Sequence, residues 1–164
     1  MKRIGIISDT HGYWDTKYLE YLADCDEIWH AGDVGDYGII EQLSDGGRIV
    51  RSVYGNTDYG EVRRRCKEIE IFEVEGVRIL LVHIGGYPGH WAQGIRTLIN
   101  EQGVDVVVDG HSHILKIIRD PVTGVLVINP GAAGKQGWHK KRTLIRLTID
   151  TAKVKDCEVI ELGS

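Results

Sequence analysis

The chain has 164 residues, of which 42% are hydrophobic and 27% charged, and its formal net charge is −4. That is enough chain to bury one sizeable core, so a single domain over residues 1–164 is expected. The mildly acidic balance excludes a globally basic surface of the kind that binds nucleic acid or anionic membranes by charge alone, and no stretch approaches the roughly 18–20 apolar residues of a membrane span. In chain order, RIGIIS (3–8) reads as a strand, and TKYLEYLADC (16–25) carries apolar residues at helical spacing. DEIWHAGD (26–33) holds a short strand that runs out into a loop. YGIIEQLSD (37–45) is helical and is stopped by Gly46-Gly47, and RIVRSVYG (48–55) is a strand. KEIEIFEVEGVRILLVHIGG (67–86) alternates and turns at Glu75-Gly76, which is a hairpin pattern. HWAQGIRTLINEQG (90–103) predicts a helix ending at Gly103, and VDVVVDG (104–110) a buried strand. After residue 112 the chain is mostly β, closing with a hairpin over TLIRLTID and TAKVKDCEVIEL. Helices between the early strands predict parallel βαβ units, and the later half predicts antiparallel strands. The fold class is therefore α/β, with two packed sheets and helices outside.

The three cysteines, Cys25, Cys66 and Cys157, form no CxxC pair. The N-terminus ends its short apolar run in Asp, Thr and His, too early for a secretory leader. Both features fit a reducing, cytoplasmic setting in which the thiols act as small apolar fillers.

The polar residues that break this pattern fall at strand ends. Asp9 and His11 follow RIGIIS, Asp33 follows DEIWHAG, Asn56 follows VYG, His83 follows RILLV, and His111 and His113 follow VDVVVDG. In α/β sheets ligands bind at the carboxyl ends of strands. Each residue alone has an ordinary reading: Asp-x-His as a turn or cap, Gly-Asp and Gly-Asn as turn chemistry, a single histidine as a buried hydrogen-bonded group. Their joint occurrence points to metal. Imidazole and carboxylate together suit Mn, Fe, Zn, Co or Ni, and the absence of thiolate disfavours structural zinc. Seven such ligands are too many for one ordinary site and suit two ions with a bridging carboxylate. Gly12, Gly32, Gly55, Gly85 and Gly110 stand beside the ligands, where backbone must approach closely.

The ordered set DTH (9–11), GD (32–33), GNTD (55–58), His83 and GHSH (110–113) closely resembles the calcineurin-like metallophosphoesterases, and in particular their small single-domain bacterial and archaeal phosphodiesterase branch. The NPG in VINPGAAG resembles the loop that follows the last metal motif there. The resemblance covers roughly residues 3–134. It implies a four-layer α-β-β-α sandwich and two divalent cations, with manganese expected first. One ion would be held by Asp9, His11, Asp33 and His113, and the other by Asp33, Asn56, His83 and His111. It also implies hydrolysis of a small phosphoester, in which a water shared by the ions attacks phosphorus. Asp33, Asn56 and Asp58 are then the residues expected to carry catalysis, with Asp58 orienting its neighbours.

The chain departs from the family pattern at two places. Many members carry histidine where Thr57 stands, and a hydroxyl without a neighbouring base is a poor general acid. This predicts preference for phosphodiesters with good leaving groups over alkyl monoesters. The family often has His-Gly-His where this chain has His83-Ile84-Gly85. His90 in YPGH and His139 after the NPG loop are candidate substitutes for substrate contact, together with Thr57. His30 reads as a buried hydrogen-bonded group and Trp29 as core. Trp14, Trp91 and Trp138 are expected either to form an aromatic rim or to pack under the loops and against an oligomer partner, so self-association remains an option. Arg63-Arg64-Arg65 and Lys140-Lys141-Arg142 read as solvated charge that also offers phosphate steering. Two other functions compete with the hydrolase: a non-catalytic scaffold of the same fold that binds proteins, as a relative in an endosomal coat does, and a small nuclease. The full ligand set favours the enzyme over the scaffold. The lack of an evident extended basic surface ranks the nuclease lower.

Overall fold

The computed structural model describes residues 1–164. Twelve strands and four helices follow in order: β1 (Lys2–Ile7), α1 (Lys17–Leu22), β2 (Glu27–His30), α2 (Tyr37–Leu43), β3 (Ile49–Ser52), α3 (Gly60–Arg65), β4 (Ile69–Val74), β5 (Val77–Val82), β6 (Gly86–Tyr87), β7 (His90–Trp91), α4 (Ile95–Gln102), β8 (Val106–Val108), β9 (Lys116–Arg119), β10 (Leu126–Asn129), β11 (Arg142–Asp150) and β12 (Lys153–Gly163). They form two five-stranded sheets, ordered β12-β11-β1-β2-β3 and β4-β5-β8-β10-β9, with β6 and β7 as a separate small hairpin.

Period-two alternation explains the layering. In β5, Val77, Ile79 and Leu81 join a core that also takes Ile4 and Ile6 of β1, Trp29 of β2 and Ile145 of β11, so this core lies between the two sheets. The intervening Leu80 and Val82 face the other way and pack with Ile95 and Ile99 of α4. On the first sheet Ile7 and Ile28 turn outward onto Tyr18 and Leu22 of α1, Ile40 and Leu43 of α2, and Val62 of α3. The result is the expected α-β-β-α sandwich.

The parallel βαβ start is present, with β1–β2 and β2–β3 both parallel. The hairpin of β4 and β5 turns where expected, with Glu75 and Gly76 both at positive φ (49° and 84°), the pair of angles a two-residue type I′ turn needs. Two expectations are corrected, and one element was not foreseen. The segment 90–103 is not one helix: His90 and Trp91 pair back on Gly86 and Tyr87, and α4 begins only at Ile95, after Gly94 at φ 83°. The later half is not wholly antiparallel, because β8 runs parallel to both β5 and β10. Helix α3 was not legible, since it is a single turn and a half whose only buried residue is Val62, too little for a periodic signal.

No helix is long and apolar enough to cross a membrane.

Candidate metal centre

The seven strand-end residues converge at one end of the sandwich. His113 Nε2 lies 3.2 Å and His11 Nε2 3.8 Å from Asp9 Oδ1. Asp33 Oδ2 lies 3.6 Å from His11 Nε2 and 3.2 Å from His83 Nε2, so this one carboxylate stands between the two groups of histidines. Asn56 Oδ1 is 3.0 Å from His83 Nε2 and 3.1 Å from His111 Nδ1. Two clusters result, Asp9–His11–His113 and Asp33–His83–His111, each with its donor atoms within 4.8 Å of one another.

The local backbone is strained to achieve this. Asp9 (φ 54°), His11 (45°), Asp33 (53°), His111 (70°) and His113 (61°) all occupy the left-handed region, which ordinary L residues avoid. Such strain costs of order 1 kcal/mol or more per residue, and it persists where the fold over-determines the geometry. Neighbouring backbone holds it here: the amides of Asp9 and His11 bond the carbonyls of Gly32 and Asp33, tying the DTH and GD loops together. Glycine is required where these loops touch the ligands. A methyl at Gly55 would collide with the Asp33 carboxylate, and one at Gly32 would lie 2.7 Å from His83 Nδ1.

The donors are set for a cation. His83 Nδ1 sits 2.7 Å from the Ala31 carbonyl, which can only accept, so Nδ1 carries a proton and Nε2 is the nitrogen turned toward the other donors, where a cation would meet it. His11 Nε2 is buried without any hydrogen-bond partner, a costly arrangement in a protein interior unless something else binds the nitrogen. Burial pushes the Asp33 carboxyl up, but the His83 ring beside it and the hydrogen bond from the Thr57 amide outweigh it and hold the group below the usual carboxylate range. Asp9 behaves likewise, its burial outweighed by His113, His83 and the Ser8 hydroxyl at 2.7 Å. Two carboxylates held below their usual range, imidazole nitrogens and an amide oxygen make a donor set that fits two borderline divalent ions.

The other expected residues play varied parts. Asp58 is buried, and its carboxylate accepts from the amides of Val34 (3.1 Å), Gly35 (2.9 Å) and Gly55 (2.8 Å), so it pins the Asp33 loop to the Asn56 loop. Thr57 gives its amide to Asp33 Oδ1 at 2.9 Å and is otherwise exposed. His139 packs edge-on against His113, ring centroids 5.1 Å apart, and donates Nε2–H to the Gly134 carbonyl at 2.8 Å. His90 lies exposed on the small hairpin against Tyr87, outside both clusters. His30 is fully buried as expected, accepting from the Gly32 amide at Nδ1 and meeting the Thr10 hydroxyl through Nε2 at 3.0 Å. An aromatic rim of three tryptophans does not form: Trp14 packs edge-on against Tyr18, Trp91 packs with the α4 cluster, and Trp138 alone projects freely. Arg142 is not solvated charge but a buried partner of Asp15 at 2.6 Å.

Three residues have parts that the sequence did not specify. Asn129 of the NPG loop donates to the Gly110 carbonyl (2.9 Å) and the Ser112 hydroxyl (3.1 Å), shaping the GHSH turn. Arg63 stacks on Tyr54 at 4.2 Å in a cleft that also contains Asn56 and His83. Asp109, read only as the end of the VDVVVDG strand, is buried beside His111. A charged residue closing a run of buried valines was the available signal.

Comparison with known proteins agrees with this geometry. A probable metallophosphoesterase of Methanocaldococcus jannaschii is 36% identical over 136 residues, covering 79% of this chain and 67% of that protein. An archaeal phosphodiesterase of solved structure superposes with a TM-score of 0.75 at 24% identity, over 98% of this chain and 99% of its own. Vps29 of Entamoeba histolytica, solved in complex with zinc, superposes with a TM-score of 0.72 at 20% identity, over 97% and 98% of the two chains. The family model described as the calcineurin-like phosphoesterase superfamily domain matches residues 1–152, and with paired donor clusters gathered by its own strand-end motifs the chain belongs to that superfamily.

Proposed function

We propose that the chain is a metal-dependent phosphodiesterase using two divalent cations. The observation that carries this is the pair of clusters meeting at Asp33, whose Oδ2 lies within 3.6 Å of a histidine from each. One ion would be held by Asp9, His11, Asp33 and His113, the other by Asp33, Asn56, His83 and His111, with manganese the first ion to try among Mn, Fe, Zn, Co and Ni. Bound there, the cations would supply positive charge for the phosphoryl oxygens and acidify a water for in-line attack on phosphorus. The protein's part is to fix the donors: Ala31 sets the His83 tautomer, the Thr57 amide holds Asp33, and Asp58 and Asn129 hold the loops. Thr57 offers no acid for an alkoxide leaving group, which supports preference for aryl or otherwise activated diesters. Of the two histidines considered for substrate contact, His139 lies against His113 but gives its Nε2–H to Gly134, and His90 lies out on the hairpin.

The test is turnover of bis(p-nitrophenyl) phosphate and p-nitrophenyl phosphate by protein reconstituted with each metal. Chelator-sensitive diester hydrolysis that falls at least about a hundredfold in Asp33→Asn is expected, since losing an interaction made in the transition state commonly costs that much. Much faster monoester turnover would overturn the diester preference, and unaltered turnover in Asp33→Asn would overturn the centre. A binding role without chemistry is the second reading. It is favoured by one observation, the exposed apolar residues Ile114 and Leu115 just before edge strand β9 and Ile117 and Ile118 on it.

A further inference from the structure

A cleft of about 330 Å³ adjoins the centre and shares His111 with it, bounded by Ile84, Tyr87, Asp109, Ile114 and Lys116. Asp109 is only 3% exposed, and its carboxyl makes no hydrogen bond and no ion pair. Lys116, the cation lining the same cleft, lies over the Tyr87 ring at 4.0 Å instead of on the acid. A carboxyl on so enclosed a residue, with no protein partner, is costly unless something reaches it from the cleft, and native structures that keep one keep it for a reason. Strand pairing does not need it, because the ladder at this position is made by the Asp109 amide to the Ile128 carbonyl at 3.0 Å. The fold also leaves room for it: a Cβ on Gly85 would stand 2.8 Å from Asp109 Oδ2.

The chemistry of the cleft selects what enters. A carboxyl floor offers at least one acceptor oxygen whether or not it carries a proton, and the phosphate itself would be taken by the cation centre next door. The mouth is apolar, with Ile84, Tyr87 and Ile114 each 42–61% exposed. We infer that this cleft is the subsite for an ester group of the diester, an apolar ring-bearing alcohol with an N–H or O–H that Asp109 accepts, so that Asp109 determines which diesters are preferred. The inference rests on the phosphodiesterase reading above and deepens it.

The discriminating experiment compares wild type, Asp109→Ala and Asp109→Asn on thymidine 5′-(p-nitrophenyl phosphate), whose nucleoside carries N–H and O–H donors, and on bis(p-nitrophenyl) phosphate, which has none. The ratio of the two kcat/KM values is expected to fall about tenfold or more in Asp109→Ala and to recover largely in Asp109→Asn, which keeps an acceptor oxygen. Calorimetric binding of thymidine 5′-monophosphate to the manganese-loaded proteins should weaken in the same order. Asp109→Ala should melt no lower than wild type, because it removes an unpaired buried acid. A structural aspartate would lower the melting temperature instead. Ile114→Glu, at an exposed position, blocks the mouth and should lower the ratio without touching Asp109. An unchanged ratio and unchanged nucleotide affinity in both Asp109→Ala and Ile114→Glu would overturn the subsite. If wild type turns over neither diester, the phosphodiesterase reading fails, and the calorimetric comparison still decides whether the cleft holds the nucleoside.

Discussion

Asp58→Asn is the sharpest perturbation of the centre that touches none of its donor atoms. The carboxylate carries three bonds from backbone amides, two on Oδ2 (Val34, Gly55) and one on Oδ1 (Gly35). An asparagine has one acceptor oxygen. Placed where Oδ2 was, it keeps two bonds, and its NH2 then confronts the Gly35 amide, donor against donor. The lost charge-assisted bond is worth roughly 1.5–3 kcal/mol, and the two that remain drop from charged to neutral strength, roughly 1 kcal/mol each. The sum is about 3–5 kcal/mol, a large share of the roughly 5–15 kcal/mol by which domains are stable. Urea unfolding followed by far-ultraviolet circular dichroism should show a lower midpoint with an unchanged slope, and thermal melting a drop of about 6–20 °C at this chain length. Turnover should fall as well, because the loops bearing Asp33 and Asn56 lose their common anchor. A destabilisation below about 1 kcal/mol would show that the three amides find other partners, and the anchoring account of Asp58 would be refuted.

Divalent ions should stabilise the fold in proportion to their binding. At a hundredfold excess over Kd each independent site adds about 2.7 kcal/mol, about 5–11 °C in Tm, reversed by chelator, and an unshifted melt with every metal tried would remove the centre. Gly55→Ala should abolish most of that metal-induced shift, since the added methyl strikes both the Asp33 carboxylate and the Asp33 backbone amide, which cannot yield; a shift equal to wild type would contradict the close approach. Burial pushes the His30 imidazole down to about 4, so the native state refuses a proton that the unfolded chain accepts below about pH 6.5. Its contribution is intact above pH 6.5 and is lost as pH falls from there toward 4, on the order of 3 kcal/mol in all. Unfolding free energies across that window should be less steep in His30→Gln, and an equal slope would mean that His30 is not the group responsible.

The sequence by itself determined the principal strands and the candidate donors. Alternating apolar residues specify which face of RIGIIS or VRILLV is buried, and a histidine or aspartate directly after such a run has to emerge at the strand's end. Glycine beside each donor was legible for the same local reason. What needed the tertiary structure depends on neighbours distant in sequence. Asp33 stands between both clusters because His11 and His83 approach it from opposite loops. Asp58 serves amides 23 and 24 residues away and so is an anchor, not a donor to the centre. The proton on His83 is placed by a carbonyl 52 residues earlier in the chain. The left-handed angles at Asp9, His11, Asp33, His111 and His113 run against local preference and are held only by packing across loops. A residue type and its spacing report what a position prefers, whereas bridging, tautomer and strain belong to the space between positions, which only the folded chain defines.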